Sequence, residues 1–586
     1  MSESHLLPCG CDKARQLIYW QISGIFFPSL ISSETMAQRK FTVTAALPYS
    51  NGMLHVGHIA GCYLPADIFV RYLRSRGDDV SFICGSDDYG VPVALTARKE
   101  GKTPQEVVKE YRGRQKRDFD GLGIDFDIYS GTADTELHTK LSQEIFQNIH
   151  ENGHLTKKTS EQLYDPEAEM FLPDRYVEGT CPFCGSDQAR GDQCESCGRT
   201  LDASTLQDPA SVVTQATPEI RDTVHWFFQL SHFEDKLADW INSHEEWRPM
   251  VRNFTLGLLN QGIPDRAITR DLDWGIPVPL DDPDAEDKVL YVWFDAPIGY
   301  VSFTAQLCEE RGGSWEDYKD WWKNPDCEIV HFIGEDNVVF HALMWPAMLM
   351  GEGSYELPSN VVANCFLNIQ FPGKDEEKMS TSRGTAVWIN QYLEDYDPDP
   401  LRYYLTMIAP ENQRTAFMFD ELERRNDEEL VATLGNFVHR TMTFTHKYFD
   451  GRIPQRGELT PQDSEQVQRM KDLPGAVAED LEEYHFKSAL QTIMAATKET
   501  NRYFDYREPW VKRKEDIDEC GTILNVSLNT IKTLGVVVEP FLPFAGEKIR
   551  KMLVEDEDNM KWHRAAEPLP EGRELGEPEI LFEKLQ

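Results

Sequence analysis

From Phe41 the chain alternates apolar and small polar residues in FTVTAALPYSNG, then stops at a Pro-Tyr-Ser-Asn-Gly turn. A period of two that ends in turn formers predicts a strand followed by a loop. The next stretch, HVGHIAGCYLPADIFVRYLRSRG, carries apolar residues at helical spacing at Ile59, Leu64, Ile68 and Tyr72 and reaches Gly77, where a helix would cap. Residues 79–85, DVSFICG, read as a second strand that opens into the polar loop SDDYG. A strand, helix, strand unit crosses over right-handedly, which puts ligands at the carboxyl edge of a parallel sheet.

The rhythm breaks over 138–289, where cysteines, turn residues and the acidic loop DDPDAEDK crowd together, so this section reads as an insertion. Afterwards the αβ pattern resumes in YVWFDAPIGYVSF, EIVHFIG, FHALMWPAMLM and NVVANCFLNI. From about 433 turn signals thin and helical periodicity dominates, as in LGNFVHRTMTFTHKYF and TILNVSLNTIKTLGVVVEPFL. The expectation is an α/β protein: a Rossmann-like parallel sheet in two halves, 41–137 and 290–368, split by the insertion 138–289. A loop region at 369–432 and a C-terminal α-helical bundle at 433–586 follow.

Composition supports several packed units. Of 586 residues 40% are hydrophobic, which excludes a disordered chain and is enough for about four domains. The 59 basic and 99 acidic residues leave a charge of −40, which repels polyanions and excludes a nucleic-acid coat protein. A local RNA site needs only a few cations and stacking rings, so it stays open. So does a second reading, an acidic surface adapted to concentrated salt (a halophile). Twelve cysteines, four of them clustered, point to a reducing compartment with one metal site. No run of 18 apolar residues predicts a membrane span. Residues 17–31, LIYWQISGIFFPSLI, lack a cleavage signal and are interrupted by Pro28, so 1–40 is expected to be an unstructured extension or a start placed too far upstream, with Met36 the better start.

Three motifs carry chemistry. His55-Val56-Gly57-His58 sits where strand gives way to helix, so two imidazoles share one side of a first helical turn beside free backbone N–H groups. That suits a phosphate chain, and Gly57 leaves room for a flat ring on the backbone; the alternative is two incidental surface histidines. Lys378-Met379-Ser380-Thr381-Ser382-Arg383-Gly384 places two cations and three hydroxyls in seven residues, a segment able to close on a triphosphate, although such loops are usually just solvated. Cys181-x2-Cys184-x9-Cys194-x2-Cys197 forms two knuckles that deliver four thiolates to a tetrahedral ion. Four sulfurs with no open position indicate structural zinc; an iron site has the same ligand count, and disulfides are disfavoured by the compartment.

Together the early H-x-G-H and the later K-M-S-T-S resemble the paired signatures of class I aminoacyl-tRNA synthetases. ALPYSNGMLHVGH, YVWFDAPIGY, FIGEDNVVFH and KMSTSRG are similar to the methionyl-tRNA synthetase family, and the resemblance extends over about 41–586. It implies an enzyme of protein biosynthesis that activates L-methionine with ATP and Mg²⁺ and transfers it to the 3′ end of tRNA-Met. A cytoplasmic location with no membrane association is expected, and because the sequence ends at PEILFEKLQ without the oligonucleotide-binding extension that makes many bacterial members of that family dimers, so is a monomer. Catalytic roles fall to His55, His58 and Lys378, and ATP contacts to His55, Gly57, His58, Gly334, Asp336, Lys378, Ser380 and Thr381. The methionine pocket falls to Ala46, Leu47 and Tyr49, to Asp88 for the ammonium, to an aromatic wall of Trp293, Ala296, Pro297 and Tyr300, and to His341 at the thioether end. Asn337 stands beside that pocket where other members carry an apolar residue.

The i, i+4, i+7 spacing of Trp293, Pro297 and Tyr300 fits that implied wall independently, as one aromatic face over two helical turns, and a polarizable thioether packs well on ring edges. In the bundle, the resemblance assigns Asn436, Arg440 and Trp510 to the readers of the CAU anticodon. One departure matters: the family's K-M-S-K-S loop has Thr381 in place of its second lysine. A hydroxyl does not offset charge, which leaves more to Lys378 and Arg383. Two other functions compete, a small-metabolite nucleotidyltransferase using H-x-G-H and an inactive zinc-ribbon RNA-binding protein.

Overall fold

The computed structural model describes residues 38–173, 176–187, 189–191, 194, 196, 201, 203–374, 376–379 and 385–585. At its centre five strands lie side by side: β1 (Lys40–Ala45), β2 (Asp79–Ser86), β3 (Ile128–Gly131), β4 (Cys327–Gly334) and β5 (Asn360–Asn364), in the order β5-β4-β1-β2-β3. Every pairing is parallel, with Lys40 opposite both Cys327 and Asp79. Two distant stretches of chain therefore build one sheet. β1 carries Thr42 and Thr44 at 0% exposure, so its alternation does not mark a solvent face. The Thr42 hydroxyl donates to the Trp321 carbonyl at 3.2 Å, and Thr44 Oγ1 lies 2.6 Å from His331 Nδ1. Central strands of a parallel sheet are covered on both faces, and their hydroxyls must be satisfied inside.

The helix after β1 starts at Val56, passes through a π-helical turn at Ile59–Tyr63 and runs on as Leu64–Arg76. It stops at Gly77, whose φ of +100° lets its N–H reach back to the Leu73 and Arg74 carbonyls.

The insertion forms a four-stranded sheet in which Leu155–Asp165 pairs antiparallel with Glu219–Phe228, and a three-stranded lobe of Val177–Thr180, Ala189–Arg190 and Gln207–Ser211. The expected boundary at 138 falls inside the helix Glu136–Glu151, whose Leu141, Ile145 and Phe146 share a core with Phe294 and Trp345. Likewise 368/369 falls inside the strand Leu367–Ile369, and 432/433 inside the helical run Phe419–Arg425, Asn426–Gly435, Asn436–Phe449. Pattern changes in sequence mark where local periodicity shifts, and a helix can cross such a point while packing on the older core.

The bundle comprises Pro461–Glu482, Phe486–Arg507, Ile517–Val538 and Pro543–Leu553. Ile517–Val538 is long and apolar enough to cross a membrane, yet 94% of its apolar window is buried within the protein. One continuous core runs from Phe41 in β1 to Phe582 near the C-terminus, joining sheet and bundle. Arg402, at 0% exposure, pins that junction. It donates to the carbonyls of Leu122, Pro540 and Phe541 and to Asp67 Oδ2 at 2.7 Å, and Arg71 Nε reaches the same oxygen at 2.9 Å. Burial pushes the Asp67 carboxyl up, but the two guanidinium groups outweigh it and hold the carboxyl below its ordinary value. Replacing Arg402 by leucine leaves four acceptors short of a buried donor. Arg402→Leu is expected to lower unfolding free energy by about 3–5 kcal/mol in urea; a loss under about 1 kcal/mol would contradict this role for Arg402.

Candidate active site

Two loops form the carboxyl edge of the sheet above β1 and β2. The PYS turn is bound to the SDD loop: Ser50 N–H donates to the Asp87 carbonyl at 3.1 Å, and Asp87 N–H to the Pro48 carbonyl at 2.9 Å. Beyond the turn, His55 caps the helix from an extended conformation, φ −123° and ψ 166°. The Gly57 N–H donates to His55 Nδ1 at 3.1 Å, and the His55 N–H donates to His58 Nδ1 at 3.2 Å. The rings stack with centroids 3.7 Å apart. Burial, and for His55 also the neighbouring ring, lower the two imidazoles to about 2 and about 4. Both are therefore neutral at pH 7, and since each Nδ1 accepts, each proton sits on Nε2. The histidines thus present two Nε2–H donors rather than positive charge.

The second signature approaches the same turn. Val56 N–H donates to the Val387 carbonyl at 3.0 Å and Ile389 N–H to the Leu54 carbonyl at 3.2 Å, so His55 and Trp388 form an antiparallel bridge. Met379 is 6% exposed, and a Cβ added at Gly57 would stand 3.5 Å from its sulfur and 2.9 Å from the His55 ring. Gly57 is therefore needed for close approach. Lys378 lies in the short strand Glu377–Lys378 paired with Leu367–Ile369; its ammonium sits 4.5 Å from the Phe366 ring, and the Arg414 guanidinium lies 5.5 Å from the same ring. Arg414 pairs with Glu335 at 2.6 Å. A Cβ at Gly334 would meet Asp336 Oδ1 at 2.8 Å, so Gly334 and Asp336 crowd one turn at the end of β4. Ser380, Thr381 and Arg383 lie outside the described residues.

The expected aromatic wall is divided. Val292–Asp295 ends at Ala296 and a new helix, Ile298–Glu310, starts after Pro297, because proline lacks the N–H that would continue the first helix. The single two-turn face read from the spacing is thus corrected: Trp293 and Tyr300 belong to two helical pieces. Trp293 stacks on Phe340 at 3.7 Å with a 10° interplanar angle and meets Tyr49 edge-on at 6.3 Å. Tyr300, 1% exposed, donates to His341 Nε2 at 2.8 Å, and His341 Nδ1–H donates to the Asn337 carbonyl at 3.2 Å. Burial lowers His341 to about 4, which keeps its ring neutral in that chain. Leu47 packs against the Gly299 position, and the Ala46 carbonyl accepts from the Tyr63 hydroxyl at 3.0 Å.

Asp88 is fully buried and densely held. The Ser86 hydroxyl donates to Oδ1 at 2.6 Å, while Arg112 at 3.2 Å and the Ala133 N–H at 3.1 Å donate to Oδ2. Burial raises its carboxyl, and Arg112 draws it back. Nearby, Asp87 and Asp295 each keep one buried oxygen without a partner, and burial pushes both carboxyls well above their ordinary value. The sequence reading missed Phe340, Arg112, Trp388 and Arg414. Phe340 was visible as the residue before His341; the others come from loops brought near only by the fold.

Farther off, Cys181, Cys184 and Cys194 bring their sulfurs within 4.8 Å of one another, with Cys184 and Cys194 at 3.7 Å. Cys197 lies outside the described residues. In the bundle the Arg440 guanidinium lies 5.6 Å from the Trp510 ring and 5.0 Å from Phe504, and pairs with Asp505 at 2.8 Å. Asn436 is exposed one helical turn before Arg440, and Trp510 is 36% exposed.

A parallel sheet with two signature loops joined over its carboxyl edge defines a class I nucleotide-activating core. Comparison with known proteins is specific. Residues 41–442 match the family described as tRNA synthetases class I (M), and 453–586 match the anticodon binding domain of methionyl tRNA ligase. A methionine–tRNA ligase of Porphyromonas gingivalis is 48% identical, covering 94% of this chain and 79% of its own. One from Thermococcus kodakarensis is 46% identical over 93% of this chain and 75% of its own. The crystal structure of Mycobacterium tuberculosis methionyl-tRNA synthetase bound by methionyl-adenylate matches with a TM-score of 0.77 at 25% identity, covering 93% of this chain and all of that one. The chain belongs to the methionyl-tRNA synthetase family.

The low histidine values carry a stability consequence. Below about pH 6.5 the unfolded chain protonates these rings while the folded chain does not, so stability falls with falling pH over that window. Replacing His58 by glutamine removes its share. Compared at pH 7 and pH 5, His58→Gln is expected to lose about 1–2 kcal/mol less unfolding free energy than the parent chain; an equal or larger loss would contradict a neutral His58.

Proposed function

We propose that the chain activates L-methionine with ATP, forming methionyl adenylate and pyrophosphate, and then transfers the methionyl group to the ribose hydroxyl at the 3′ end of tRNA-Met. The observation that carries this reading is the bridge between His55 and Trp388, with Met379 packed beside Gly57, which joins the two signature segments. The substrate carboxylate is already a nucleophile, so no general base is required; it attacks the α-phosphorus as pyrophosphate leaves. The work left for the protein is positioning and charge stabilisation. His55 and His58 offer Nε2–H to the phosphate chain, Gly57 admits the nucleotide, Gly334 and Asp336 face the ribose, Lys378 neutralises the departing pyrophosphate, and Ser380 and Thr381 donate hydrogen bonds to it. Mg²⁺ comes with the nucleotide and supplies charge neutralisation.

For methionine, Trp293, Phe340, Tyr49 and Pro297 supply ring edges and apolar surface, and Tyr300 with His341 supplies a fixed polar end. Ala46 and Leu47 floor the site, and Ala296 leaves space beside them. Asp88 is the proposed ammonium partner, its orientation set by Ser86 and Arg112. Asn436, Arg440 and Trp510 are proposed to read the anticodon. Cytoplasmic location and a monomeric state belong to the same proposal.

The cysteine cluster fits structural zinc. Tetrahedral Zn–S bonds of about 2.3 Å put sulfurs about 3.8 Å apart, close to the 3.7 Å between Cys184 and Cys194, whereas a disulfide needs about 2.05 Å. Cys181, Cys184, Cys194 and Cys197 would hold the ion and so fold a lobe with little core of its own. Elemental analysis is expected to give one zinc per chain, and stripping it should unfold the lobe while leaving the parallel sheet folded; no bound metal, or loss of the whole fold, would contradict this assignment.

Pyrophosphate exchange across a panel of amino acids tests the activity itself. Exchange should depend on methionine, and Lys378→Met should slow it about 100-fold or more, about 3 kcal/mol of lost transition-state stabilisation. Exchange with leucine or isoleucine in place of methionine, or an unaltered rate in the variant, would overturn the reading.

A further inference from the structure

The helix Asn436–Phe449 carries a second aromatic and cationic pair on the face that bears Asn436 and Arg440. Asn436, Arg440, Phe444 and Tyr448 follow one another at intervals of four, so they share one side of the helix. Alongside runs the short helix Pro509–Glu515, with Trp510 and, three residues on, Arg513. At one end the Arg440 guanidinium meets the Trp510 ring at 5.6 Å. At the other end the arrangement is repeated with the partners exchanged: the Arg513 guanidinium lies 4.5 Å from the Tyr448 ring. Phe444 supports Tyr448 at 4.6 Å, and the Lys447 ammonium lies 5.4 Å from the same ring.

In a chain of net charge −40, most arginines here are matched by carboxylates, as Arg440 is by Asp505. Lys447 and Arg513 make no ion pair among the described residues, and the Nε of Arg513 is buried without a hydrogen-bond partner. Two uncompensated cations beside a half-buried ring lower the local negative potential where an acidic surface would otherwise repel RNA. At 1.5 Å per residue, Arg440 and Tyr448 are about 12 Å apart along the helix, the length of three or four stacked nucleotides at about 3.4 Å each.

We infer that Tyr448, Arg513 and Lys447 form a second RNA-stacking platform that extends the anticodon site and holds nucleotides flanking the anticodon of the tRNA. The inference rests on the anticodon reading of Arg440 and Trp510, with which this face is continuous. Tyr448 stacks a base, Arg513 stiffens the ring and faces the backbone, and Lys447 adds charge. None of the three touches the reacting atoms.

Aminoacylation kinetics with an unmodified tRNA-Met transcript test it, with methionine-dependent pyrophosphate exchange as the control for folding and chemistry. Tyr448→Ala is expected to raise KM for tRNA roughly 5- to 100-fold, the cost of one lost stacked base, with kcat and exchange unchanged. Tyr448→Phe should restore most of the affinity. Arg513→Ala should weaken tRNA binding and reduce its salt dependence by about one contact. Nuclease footprints should show nucleotides beside the anticodon losing protection in Tyr448→Ala but not in Trp510→Ala. If Trp510→Ala raises KM while Tyr448→Ala and Arg513→Ala leave KM and the footprint unchanged, this inference fails and the anticodon reading stands. If Trp510→Ala has no effect on KM, the anticodon reading fails, and with it the claim that Tyr448 and Arg513 extend that site.

Discussion

Two backbone hydrogen bonds between residues more than 330 positions apart hold the site together. Val56 N–H to the Val387 carbonyl and Ile389 N–H to the Leu54 carbonyl turn the edge of the H-x-G-H motif and the end of the lysine loop into one short antiparallel seam. Without it, the early turn would be a helix N-terminus with two histidines, and the late loop a solvated lysine segment. Met379 strengthens the seam by packing its sulfur against the Gly57 position, which a side chain would close. The parallel sheet sets the stage for this contact, because pairing β4 beside β1 brings the second half of the chain to the carboxyl edge of the first.

The electrostatics of the site follow from burial more than from net charge. His55, His58 and His341 are all driven toward the neutral form, and each has one ring nitrogen committed to a fixed partner. A neutral imidazole donates in one direction without attracting stray anions, so on the proposed reading positive charge toward a phosphate chain is left to Lys378. Asp88 shows the complementary strategy. Its carboxylate is desolvated but anchored by a hydroxyl, a guanidinium and a backbone N–H, so its position is fixed before any ligand arrives.

Much of the fold was legible because its periodicities are local. The strand at Phe41, the helix ending at Gly77 and the C-terminal helices each follow from spacing and a terminator. The insertion was legible as a change of rhythm, but its limits were not, since Glu136–Glu151 continues a helix of ordinary pattern while packing on Phe294 and Trp345. The two signature motifs stood out in the sequence because each concentrates unusual residue types, and the fold brings their flanks together. The wall was only half legible: Trp293, Pro297 and Tyr300 have helical spacing, but Pro297 restarts the helix, and the stacking partner Phe340 comes from the strand-to-helix junction after β4. Arg112, Trp388 and Arg414 carry no sequence signal, because their importance comes from what the fold sets beside them. Thr42 and Thr44 make the same point for the core, where a polar period of two proved to be an interior one.

The central claim is that the imidazole pair and the lysine loop act on one nucleotide from opposite sides. A crystal structure of the protein with methionine and a non-hydrolysable ATP analogue tests it most directly. The account predicts that the Nε2 atoms of His55 and His58 and the Nζ of Lys378 lie within hydrogen-bonding distance of the same phosphate chain. A bound analogue touched by the histidines alone, with Lys378 turned to solvent and the seam at Val387 open, would contradict it.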